Sequence, residues 1–272
     1  MYRSSLNRLA RSLGKAYSTT VKTVETDVVE RSVNKVTLLG RVGRDAEIRG
    51  SDSNPVTLFP LATSETFRIK KDGESDELRQ RTSWHRINVF KPGLRDTVFT
   101  YCKKGSRVYV TGRISYSEYF NDSDQKVLTT NIIADDVIFV GSEQKLSERS
   151  VNKVTLLGRV GRDAEIRGSD SNPVTLFPLA TSETFRIKKD GESDELRQRT
   201  SWHRINVFKP GLRDTVFTYC KKGSRVYVTG RISYSEYFND SDQKVLTTNI
   251  IADDVIFVGS EQKLSESDLY AS

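Results

Sequence analysis

Residues 82–90 read TSWHRINVF, and the same nine residues return at 200–208. As a strand, this stretch sends Trp84, Arg86, Asn88 and Phe90 to one face and His85, Ile87 and Val89 to the other, because successive side chains of a strand alternate. The apolar row belongs on a core. The opposite row combines two aromatic rings, a guanidinium and an amide, which suits a surface on which something flat and anionic lies. The expectation is a nucleic-acid platform.

Working outward from this strand, residues 33–44 (VNKVTLLGRVGR) read as a strand that bends or bulges at Gly40 and Gly43, and 54–67 (NPVTLFPLATSETF) as a second strand with an edge or bulge at Pro60. Residues 69–81 read as a polar hairpin loop turning at Asp72-Gly73. Downstream, Lys91-Pro92-Gly93 stops the strand. A short helix follows over 94–104, with Leu94, Val98, Tyr101 and Cys102 on one face, lysines in the last turn and Gly105 just past the end. Strands resume over 106–120 and 126–140, around a polar turn at 121–124. Three strands, a helix and two strands is the order of a five-stranded OB-fold barrel.

Residues 30–147 and 148–265 are identical at every position. Each copy of 118 residues is long enough for its own core, so the unit is a domain and not a solenoid repeat. Identity extends even to polar loop residues such as Ser51-Asp52-Ser53, which implies either a very recent duplication or a fault in the assembled gene. The fold class is therefore all-β: two tandem OB barrels, each with a short helix between its third and fourth strands. The expected division is a leader at 1–17, a flexible segment at 18–29, barrels at 30–141 and 151–259 joined by a linker at 142–150, and a flexible tail at 260–272.

The leader has Arg3, Arg8, Arg11 and Lys15, no acidic residue, several hydroxyl residues, and an apolar helical stripe of Tyr2, Leu6, Leu9 and Leu13. This is the pattern of a mitochondrial transit peptide cut near Tyr17; a basic arm that touches DNA needs no such stripe. Cleavage takes the balance from 43 basic against 36 acidic residues to 39 against 36. Affinity for an anionic partner then rests on where charge is placed, not on its total. No apolar run approaches the roughly 20 residues of a membrane-spanning helix. Each copy has one cysteine and one histidine, Cys102 with His85 and Cys220 with His203, at no metal-ligand spacing, so neither a metal, a cofactor nor a disulfide is expected.

In order and spacing, VNKVTLLGRVGRDAEIR, FPLATSETF, TSWHRINVF, YCKKGSRVYVTGRI and TTNIIADDVIF closely resemble the bacterial and mitochondrial single-stranded DNA-binding proteins, particularly the animal mitochondrial form. The resemblance covers nearly all of each copy. It implies an assembly of four OB domains that wraps single-stranded DNA during mitochondrial DNA replication. The setting is the nucleoid of the matrix, with the replicative helicase and polymerase as partners. It also implies base stacking on Phe67, Trp84, Phe90 and Tyr119, with Phe185, Trp202, Phe208 and Tyr237 in the second copy, and places His85 and His203 near the oligomer interface. The chain ends SESDLYAS, without the acidic tip of bacterial members, so recruitment of partners by that tip is not expected.

Candidate phosphate contacts are Lys35, Arg41, Arg68, Lys70, Lys71, Arg79, Arg81, Arg86, Lys91, Arg113 and Arg204; alternation alone sets Arg86 between Trp84 and Phe90. The mechanism they imply is physical and not catalytic. Asp135 and Asp136 are adjacent carboxylates, but neighbours on a strand point to opposite faces and do not converge on one ion. The alternative reading is an OB protein of mitochondrial RNA metabolism or translation, since stacking residues do not distinguish the sugars. Four OB domains need two chains if the duplication is real and four if it is not. A linker of about ten residues reaches at most roughly 35 Å between copies. Intact mass spectrometry of the native protein is expected to give the mass of residues 18–272; a mass near half of that would show that a single copy is made.

Overall fold

The computed structural model describes residues 19–23, 31–69, 77–120, 126–141, 150–187, 195–238 and 244–259. After β1 (Thr19–Thr23), the first copy contains β2 (Val33–Val42), β3 (Glu47–Ser51), β4 (Asn54–Ile69), β5 (Glu77–Val89), α1 (Pro92–Tyr101), β6 (Arg107–Phe120) and β7 (Lys126–Phe139). The second repeats them as β8 (Val151–Val160), β9 (Glu165–Ser169), β10 (Asn172–Ile187), β11 (Glu195–Val207), α2 (Pro210–Tyr219), β12 (Arg225–Phe238) and β13 (Lys244–Phe257). The leader at 1–17, the tail at 260–272, linker residues 142–149 and Lys70 and Lys71 lie outside the described residues.

In each copy the ladders form a closed cycle of five strands. β2 pairs with β6 and, at Arg41 and Val42, with β4; β4 pairs with β5; β5 runs parallel to β7 at Ile87 and Asn88; β7 pairs with β6. The inward residues Val36, Leu38, Phe59, Leu61, Ile87, Val89, Val110, Ile114 and Ile132 are fully buried. The helix packs on β4, β5 and β7 and buries Val98.

Gly40 does not bulge. A Cβ there would lie 2.1 Å from the carbonyl oxygen of Ala62, so the bare backbone is what lets β2 approach β4 where the barrel closes. The irregularity falls instead in the β6–β7 ladder, where Thr111 faces Asp136 and the next residue, Gly112, faces Ala134, leaving Asp135 of β7 as the extra residue. Pro60 sits inside β4 at no cost, because β3 pairs with β4 only as far as Leu58 and β2 takes over at Leu61; its carbonyl accepts from the Gly43 N–H at 2.9 Å.

Four expectations are corrected. β3 is an additional edge strand, folded back on β4 by a turn at residues 52–53 next to Gly50 at φ +94°. The hairpin ladder continues through Ile69 opposite Glu77, so the polar loop is shorter than 69–81. The helix begins at Pro92, where a missing N–H costs nothing, and ends at Tyr101; the Cys102 N–H bonds the Val98 carbonyl at 2.9 Å, and Gly105 belongs to the next turn. The segment at 18–29, expected to be flexible, contributes β1: four of its five residues are β-branched, and β11 gives it an open edge.

The two copies join edge to edge. β2 pairs antiparallel with β8 from Val33 opposite Leu157 to Leu39 opposite Val151, centred on Val36 opposite its own repeat equivalent, Val154. A pseudo-twofold axis therefore passes through that pair. Reciprocal contacts flank it: His85 Nδ1 meets Tyr234 Oη and His203 Nδ1 meets Tyr116 Oη, each at 3.0 Å, and Arg113 pairs with Glu183 and Arg231 with Glu65, each at 3.1 Å.

Each histidine also has Nε2 at 2.8 Å from a buried threonine hydroxyl, Thr63 or Thr181. Burial lowers their pKa values from the ordinary 6.5, to about 4 for His85 and about 3 for His203. Between pH 6.5 and about 4 the unfolded chain binds protons that the folded chain does not, so stability is present above this window and is lost on acidification through it. The loss is on the order of 3 kcal/mol per histidine. Thermal melts at pH 7.5 and pH 5 should show a fall in Tm that the His85→Gln, His203→Gln double variant largely removes; an equal fall in that variant would exclude the histidines as its source.

Candidate nucleic-acid interface

Strand β5 has the alternation its sequence predicts. His85, Ile87 and Val89 are buried, whereas Trp84 is 55% exposed, Phe90 is 39% exposed and Arg86 is exposed. The register sets Trp84 opposite Ala62 on β4, and Ala62 opposite Arg41 on β2, so an indole and a guanidinium share one row across three strands. Pro60 faces Arg86 in the next row. The residues between the functional groups are small or flat, which leaves an open floor.

Gly43 is the residue of this floor whose role the sequence conceals. A Cβ at Gly43 would lie 2.3 Å from the Trp84 ring, so the indole lies against bare backbone. Gly161 and Trp202 repeat the arrangement at the same 2.3 Å. Taken as a bend in the strand, Gly43 carried no sign of this contact, because the ring it accommodates is 41 positions away.

The other aromatic residues do not all join Trp84. Phe90 and Phe208 are exposed on the same alternation just past the strand end. Phe67 is 44% exposed but stands opposite Arg79, on the other face of the β4–β5 ribbon. Its equivalent Phe185 lies 5.3 Å beneath the Arg199 guanidinium, a cation–π contact. Tyr119 and Tyr237 are placed only by backbone, opposite Val127 and Val245.

The cations divide similarly. Arg86, Arg68 and Lys91 are exposed, and Arg41 is exposed while donating to the Gly105 carbonyl at 3.2 Å. Lys35 is opposite Thr155 at the seam between copies, six residues and about 20 Å along β2 from Arg41. Arg79 is held by Glu77 at 3.1 Å, and Arg204 is half-buried and already engaged. Two expected phosphate contacts are committed to the join between copies. Arg81 donates to Ser233 Oγ at 2.8 Å and to the Tyr234 carbonyl at 3.0 Å, and Arg113 is shared between Asp135 and Glu183 at 3.1 Å each. These partners belong largely to the other copy, where strand alternation gives no indication of them.

Cys102 and Cys220 are buried, and burial with a nearby aspartate (Asp45, Asp163) pushes each thiol up to about 12, so neither supplies a thiolate at neutral pH. Asp135 is paired with Arg113, while Asp136 accepts from the Val137 N–H. Among the described residues no group of three His, Cys, Asp or Glu side chains could hold a metal.

Comparison with known proteins gives the same picture. A wild-type single-stranded DNA-binding protein from Thermus aquaticus superposes with a TM-score of 0.62 at 17% identity, over 87% of this chain and 98% of its own, which is a likeness of fold spanning both copies. Among sequences, the mitochondrial single-stranded DNA-binding protein of Pongo abelii is 42% identical over 154 residues, covering 54% of this chain and all of that one. Those of Oryctolagus cuniculus and Drosophila melanogaster are 48% and 45% identical, over 82% and 86% of their own lengths. The model of the single-strand binding protein family matches twice, over residues 33–140 and 151–258, and the chain belongs to that family, with two copies of its domain in one polypeptide.

Proposed function

We propose that this chain binds single-stranded DNA without regard to sequence and protects it in mitochondria, within the nucleoid of the matrix, during DNA replication. The observation that carries this reading is the exposed Trp84 ring lying against Gly43, in one row with Ala62 and Arg41 and beside Arg86. Stacking a base on such a face contributes about 1 to 3 kcal/mol, and every base has a face to offer. Cations around the ring neutralise phosphates and release counterions, which makes affinity fall with salt. The mitochondrial relatives support both the ligand and the compartment. Replicative helicase and polymerase are the partners this role implies. The reading is non-enzymatic.

The outer face of the central sheet supports self-association. Ile138, Tyr109, Leu39 and Val151 are consecutive cross-strand neighbours, and Ile256, Tyr227, Leu157 and Val33 form the mirror row. Ile138 and Ile256 are 51% and 50% exposed. Two apolar rows on this face support an interface there, and a second chain stacked on it would complete four OB domains from two chains.

Three measurements test these readings. Trp84→Ala with Trp202→Ala should weaken oligo-dT binding at fixed salt by about 1 to 3 kcal/mol for each ring lost, with the melting temperature little changed. An unaltered affinity, or a clear preference for oligo-U, would overturn the proposed function. Gly43→Val with Gly161→Val drives a side chain into the space each indole occupies, and is expected to shift tryptophan emission and weaken oligo-dT binding in the same direction. Tyr109→Asp with Tyr227→Asp should reduce the sedimentation mass from two chains to one; a persistent two-chain mass would place the contact elsewhere.

A further inference from the structure

The two copies have the same sequence but different neighbours. In copy two, β1 runs antiparallel along β11, from Thr19 opposite Ser201 to Thr23 opposite Arg197, on the side of β11 that pairs with β13 at Ile205 and Asn206. In copy one the equivalent edge of β5, residues 79–83, has no strand beside it among the described residues. It opens instead onto a cavity of about 410 Å³, lined by Arg81, Thr82 and Trp84 from copy one and by Tyr234, Glu236 and Leu246 from copy two.

The difference reaches the side chains. Arg81 crosses to Ser233 and Tyr234, whereas its equivalent Arg199 lies over Phe185. Thr82 and Trp84 are exposed, whereas Thr200 and Trp202 are half-buried. Among the described residues, no segment stands ready to fill the open groove by the same route. The residues that precede copy two as β1 precedes copy one are 137–141; 137–139 are already the end of β7 in the first barrel, and the Val140 N–H donates to the Arg107 carbonyl of β6 at 2.9 Å. Among the described residues, one chain thus has two equivalent grooves and one strand to place in them.

We propose that the open groove beside residues 79–83 is a strand-addition site whose occupant is the Thr19–Thr23 segment of a second copy of this chain. The groove is built from the same residues, in the same pseudo-twofold arrangement, as the one that already accepts that segment. Binding by strand addition draws on main-chain hydrogen bonds to an open edge, and the β-branched TTVKT suits that conformation. An N-terminal strand released from its own chain links to the next, so this contact is separate from the apolar sheet face described above and independent of DNA. Because the strand must first leave the groove it fills in its own chain, the link forms only at concentrations well above those at which pairing through the sheet face is measured.

Cross-linking separates the possibilities, since Cys102 and Cys220 are buried and leave introduced cysteines as the reactive ones. Thr20 pairs with Thr200, whose repeat equivalent is the exposed Thr82. With a short bismaleimide, the Thr20→Cys, Thr200→Cys chain is expected to close on itself at single-chain mass. The Thr20→Cys, Thr82→Cys chain should give a covalent product of twice that mass on denaturing gels, in a yield that rises with protein concentration. Single-chain product alone from the Thr82 variant would show the strand hopping within one chain and would overturn the second-copy occupant. No cross-linked product from the Thr82 variant, while the Thr200 variant closes efficiently, would show that the groove takes no strand.

Discussion

The antiparallel pairing of β2 with β8 is the constraint on which the molecule depends. When a strand pairs with its own repeat, an antiparallel ladder can place each residue opposite its symmetry mate only about one central pair, here Val36 with Val154. That register fixes the orientation of one barrel to the other. It brings each histidine to the other copy's tyrosine and each arginine, Arg113 or Arg231, to the other copy's glutamate. A one-residue slip would turn the buried row of Val36 and Leu38 outward. The core of each barrel and the join between barrels therefore enforce the same register.

Covalent linkage then breaks the symmetry that pairing creates. Two separate domains would each have an N-terminal segment to lay on the other; in one polypeptide the segment before copy two is already the end of the first barrel. Identical residues consequently meet different surroundings, and Trp84 stays exposed where Trp202 is half-covered. The asymmetry is a consequence of connectivity and not of sequence.

What was legible in the sequence follows the range of the interactions involved. Alternation is local, so the buried and exposed rows of TSWHRINVF and the five barrel strands could be read directly. Short strands and ends are set by nearby competition: β3 is five residues of EIRGS with no apolar alternation, and α1 stops where Cys102 leaves helical geometry despite two lysines that suit a helix end. Contacts between copies left no local mark. Arg81 and Arg113 resemble surface cations until Tyr234 and Glu183 arrive from more than 60 residues away. Gly43 is the instructive residue within the site, since a glycine that makes room for a ring has the same sequence signature as one that permits a bend.

A twofold-related pair of platforms imposes a condition on a directional ligand. A strand that crosses the Trp84 row with one polarity meets the Trp202 row inverted, unless it turns back on itself between them. Hydrogen-bonded readout of base edges would penalise one of the two crossings, because it depends on the direction of the backbone. Stacking on a ring, with mobile cations around it, is nearly indifferent to that direction. The same chemistry that makes binding independent of sequence thus also makes it compatible with the symmetry of the protein, and a flexible single strand can be held on both barrels where a stiff duplex cannot.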